Sequence, residues 1–162
     1  MEIIKIDTTE KKLYHDIFPY LIGKVFHMTT HKNLDNIIID GYIDNNKDHK
    51  YEYTYTLSEA SFGRMNGDVC MFDLKNPTCR QMYFHLRKMV KISLYPDEGQ
   101  PAYLITKSEI HNELKLYTDL SESIRYKVFC VPYVECWFPN RLPIDKISTI
   151  LKVTITDKGL AV

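Results

Sequence analysis

Strand-like and helix-like stretches follow one another in this chain without a repeating rhythm, and that irregularity constrains the fold more than any single motif. Apolar residues fall into short runs at Lys24–Met28, Val69–Leu74, Lys91–Tyr95, Ala102–Thr106, Val128–Phe138 and Ile147–Thr156. Their length and their β-branched and aromatic content suit strands. Met1–Ile6 reads as a further short strand or an ordered arm. Lys11–Leu21 carries Leu13, Tyr14, Ile17, Phe18 and Leu21 at helical spacing, with Gly23 as a stop. Thr29, Thr30 and Asn33 offer caps to a second helix with the apolar face Leu34, Ile37 and Ile38, closed by Gly41. Further helical stretches are expected at Ser58–Met65, from Asn76-Pro77 to Met89, and at Ser108–Leu116, with a helical turn at Ser121–Tyr126. Tyr51–Leu57 reads as a strand or a ligand-facing loop, and Asn66-Gly67-Asp68 as a turn. Strands interrupted by helices, with no βαβ period, imply the α+β class and a mostly antiparallel, twisted sheet.

No repeat and no linker rich in Gly, Ser or Pro divides the chain, so residues 1–162 are expected to form one domain. That length buries a sizeable core without metal or disulfide staples. The 21 basic and 21 acidic residues balance, which removes the global basic field of a DNA-coating protein and leaves a local basic groove open. Neither GxGxxG nor GxxxxGK[ST] occurs, so Rossmann and P-loop readings find no support. Cys70, Cys79, Cys130 and Cys136 form no CxxC pair and read as buried reduced thiols. The histidines share no ligand spacing, so no metal is expected. The N-terminus shows no secretory signal and no apolar run matches a bilayer, which leads to the expectation of a cytoplasmic protein without membrane contact.

One carboxylate stands out. Glu135 lies inside the apolar run Val131-Pro132-Tyr133-Val134-Glu135-Cys136-Trp137-Phe138. Ionising a carboxylate there is costly unless a partner or ligand compensates, which marks a functional candidate. An edge-strand glutamate facing water is the plain alternative. His27 ends the strand Lys24–Met28, where it is either a ligand contact or a core histidine.

Two segments, residues 24–43 and 131–147, carry a family likeness. His27-Met28-Thr29 precedes a helix ending at Gly41. Glu135-Cys136-Trp137 leads into Pro139-Asn140-Arg141-Leu142-Pro143 and Ile147. Together they resemble the NAD-dependent ADP-ribosyltransferase superfamily and, within it, the DarT-like toxins that modify DNA. The resemblance implies a twisted, mostly antiparallel split sheet with inserted helices, and NAD as cofactor. It implies Glu135 as the catalytic carboxylate, stabilising an oxocarbenium-like sugar, with Arg64 as a second catalytic residue. It implies His27 and Thr29 at ribose hydroxyls of NAD, and Tyr53 and Tyr55 as rings that stack on nicotinamide. A cleft joining His27, Glu135 and at least one tyrosine is expected. Arg141, beside the Glu135 strand, is a candidate phosphate contact or a solvated turn charge.

The sequence departs from the arginine-modifying and some other protein-modifying members of that superfamily at Tyr133. It stands two residues before Glu135, where they carry Glu or Gln. The departure fits a nucleic-acid acceptor, DNA or RNA, in a toxin or phage-conflict protein with an antitoxin or host protein as further partner. Two alternatives stay open. One is an NAD-dependent RNA 2′-phosphotransferase drawing on Arg64, Arg80, Arg87, Arg125 and Arg141. The other is a non-enzymatic protein- or nucleic-acid-binding module on the same scaffold.

Overall fold

The computed structural model describes residues 1–44, 69–76, 80–81, 99–116, 119, 134–139 and 141–158. The expected elements at Tyr51–Leu57, Ser58–Met65, residues 66–68, Lys91–Tyr95 and Ser121–Tyr126 lie outside those residues, as do most of the helix expected up to Met89 and the first part of the Val128–Phe138 strand.

Nine strands and two α-helices are described: β1 (Glu2–Thr8), α1 (Leu13–Leu21), β2 (Val25–Thr30), α2 (His31–Asp40), β3 (Tyr42–Ile43), β4 (Val69–Asp73), β5 (Pro101–Thr106), β6 (Lys115–Leu116), β7 (Glu135–Phe138), β8 (Leu142–Pro143) and β9 (Ile147–Ile155). The architecture is α+β. The main sheet runs β1-β9-β5-β2-β4-β7-β6, and β3 pairs separately with β8. Among the described strands, only the β1–β9 pair is parallel.

Each face of the sheet has its own apolar cluster. On one, Leu13, Ile17, Phe18 and Leu21 of α1 pack with Phe26, Tyr103, Leu151 and Val153. On the other, Leu34 and Ile37 of α2 pack with Val25, Leu104, Met71, Cys136 and Ile150. These are called the α1 face and the α2 face below. The alternation follows from the two-residue period of a strand.

The caps of α2 match their local chemistry. Thr30 Oγ1 accepts from the Asn33 N–H at 3.1 Å, and Gly41 takes φ +82°, a left-handed position that suits glycine. Two expectations need correction. Ile38 does not join the buried face; it is 46% exposed, because α2 meets the sheet through Leu34 and Ile37. Ser108–Leu116 is not one helix: Ser108–Glu113 forms a 3-10 helix, and Lys115–Leu116 is drawn into pairing with β7. The long-range ladder overrides local helical spacing there.

The main sheet forks. β2 and β4 pair only at Val25↔Asp73 and Phe26↔Phe72. Beyond Phe26, β2 continues alongside β5 through Thr30, while β4 stays with β7 through Val69. Phe26 and Phe72, with ring centroids 5.7 Å apart, close the fork on the α1 face.

Candidate functional site

At the fork, the ladder position that would pair Met28 with Cys70 is not formed. Instead His27 Nδ1 lies 2.7 Å from the Cys70 carbonyl oxygen. A carbonyl only accepts, so the ring donates through Nδ1–H, a tautomer assigned from that bond. Burial holds the His27 pKa below its ordinary value, and the bond to Cys70 opposes this more weakly. The neutral ring is left with Nε2 as an acceptor. Thr29 follows on the same face, buried and paired with Ala102 of β5.

Glu135 opens β7 and is 1% exposed. It pairs with Phe72, which pairs in turn with Phe26. Directly paired residues share a face, so Glu135 projects to the α1 face. His27 pairs with Leu104, a member of the α2-face cluster, so it projects to the other side. β4 lies between their strands, and two strand spacings amount to roughly 10 Å. The expectation that His27 and Glu135 line one cleft is therefore corrected. The registers 26↔72 and 72↔135 set the two side chains at opposite parity. Arg64, Tyr53 and Tyr55 lie outside the described residues.

Trp137 shares the face of Glu135 and is fully buried, and its Nε1 has no hydrogen-bond partner among the described residues. A buried donor left without an acceptor costs about 1–3 kcal/mol. Trp137 had a legible signal, since an indole two residues beyond a strand carboxylate must share its face. The Cys70 carbonyl as partner of His27 had none, because a contact across 43 positions depends on register. Cys136 lies on the α2 face, and its thiol pKa is raised well above the ordinary range, chiefly by burial and then by Asp73. It is a poor nucleophile. Arg141 sits 4.2 Å over the Tyr42 ring and 3.5 Å from Asp44. Those contacts already engage its charge.

Among the described residues, no group of His, Cys, Asp and Glu is arranged to hold a metal ion, and no helix is long and apolar enough to cross a membrane. No family model, curated protein or solved structure matches the chain.

Proposed function

We propose that the protein transfers ADP-ribose from NAD to a nucleic-acid base, on an ADP-ribosyltransferase-like split-sheet scaffold, with Glu135 as the catalytic carboxylate. The observation that carries this reading is the near-complete burial of Glu135 on the sheet face it shares with Phe72 and Trp137. A carboxylate in such surroundings fits a sugar hydroxyl and a developing positive charge, since low polarity strengthens both interactions. The glycosidic C–N bond of NAD breaks with its electron pair leaving on nicotinamide. The acceptor base bonds to C1′, and its proton passes to the carboxylate.

The opposite parity of His27 and Glu135 divides their roles. Glu135 acts at the reacting sugar. His27 is a positioning residue: its bond to the Cys70 carbonyl fixes β4 at the fork, and β4 carries β7 through four paired positions. The same parity favours a second reading, a binding module without turnover, in which no imidazole assists the carboxylate.

The test is incubation with adenosine-labelled NAD and mixed DNA, RNA and protein acceptors, for the native protein and Glu135→Gln. Label on nucleic acid is expected from the native protein, with a loss of about 10²–10³-fold in the variant. A folded native protein that releases no nicotinamide and labels nothing overturns the transferase reading.

A further inference from the structure

Trp137 is the only tryptophan in the chain, and its indole N–H is buried without an acceptor among the described residues. Indole is a donor only. Across the ladder, Trp137 pairs by backbone with Cys70 on one side and Lys115 on the other, and neither pairing supplies the indole with an acceptor. A phenylalanine would fill much of the same volume without desolvating a donor. The indole N–H therefore carries a desolvation cost that an acceptor on a ligand would offset.

Glu135 lies two residues away on the same face, so the two side chains are rooted about 7 Å apart along the strand. We infer that the Trp137 indole donates a hydrogen bond to an oxygen of the ligand whose ribose hydroxyl Glu135 holds. The inference rests on the NAD reading above and names the second contact of that site. Its ligand must carry a ribose hydroxyl and, at comparable separation, a carbonyl or phosphate oxygen. Glu135 and Trp137 are 1% and 0% exposed, so ligand entry has to open this face.

A single tryptophan gives one indole N–H resonance in a nitrogen–proton correlation spectrum of the labelled full chain. NAD is expected to move that resonance downfield. ADP-ribose reproduces the shift if the acceptor is a phosphate oxygen, and nicotinamide riboside reproduces it if the acceptor is the carboxamide. Trp137→Phe is expected to keep or raise the melting temperature while weakening NAD binding about tenfold. If backbone amide resonances respond to NAD while the indole resonance stays put, and Trp137→Phe binds equally well, the inference is overturned and the NAD reading stands. If no resonance responds to NAD, the NAD reading falls and the inference with it.

Discussion

On one side of the fork, β1, β9, β5 and β2 pair over seven, five and five positions; on the other, β4, β7 and β6 pair over four and two. The long half is closed on both faces by aliphatic and aromatic side chains such as Leu104, Tyr103, Ile150 and Leu151. The short half buries a carboxylate at Glu135 and an indole donor at Trp137. Buried charge opposes folding more than a buried hydroxyl does, and the two halves differ in this: among the described residues the buried carboxylates, Asp73 and Glu135, lie in the short half, whereas the buried polar groups of the long half are the hydroxyls of Thr8, Thr29 and Thr106. Scaffold and candidate chemistry are thus separated along the sheet, with two paired positions joining them.

Phe26 is where that separation is most easily broken. It is fully buried, pairs with Phe72 across the junction and meets Tyr103 edge-on at 6.0 Å. Phe26→Ala is expected to cost about 3–5 kcal/mol, read by denaturant unfolding. A loss below 1 kcal/mol would mean that the halves are not joined through this ring pair. A smaller effect tests the scaffold alone. Thr30→Ala removes the cap of α2 and is expected to cost about 1 kcal/mol, with the Glu135 side of the sheet unaffected.

The smallest effect is the pH dependence. Burial keeps His27 and His111 below their ordinary pKa of 6.5. The unfolded chain therefore takes up these protons first as pH falls. Stability is fully present above about pH 6.5 and declines below it toward the folded-state pKa values. The melting temperature should fall on acidification through that range, and His27→Gln should flatten part of the decline. An unchanged slope would remove His27 from the interior of the fork.

How much of this was legible in the sequence depended on how local each feature is. Thr30 and Gly41 bound α2 through contacts within four residues, so the spacing of caps sufficed. The strands Val25–Thr30, Val69–Asp73, Pro101–Thr106 and Ile147–Ile155 follow from apolar runs that only a sheet accommodates. The facing of His27 and Glu135 was not legible. It is fixed by two registers that join residues 46 and 63 positions apart, 26↔72 and 72↔135, and a shift of one residue in either reverses it. The 3-10 helix at Ser108–Glu113 was missed for a related reason, since Leu116 is claimed by β7 through a pairing with Cys136.

The division of labour across the fork is tested most directly by NAD-cleavage rates of Glu135→Gln and His27→Gln measured side by side on folded protein. The expected result is turnover lost by about 10²–10³-fold in the first, against a reduction under about tenfold in the second that tracks its lowered stability. Equal losses in both variants at unchanged melting temperature would contradict it, because the two side chains would then serve the same reacting atoms from one face.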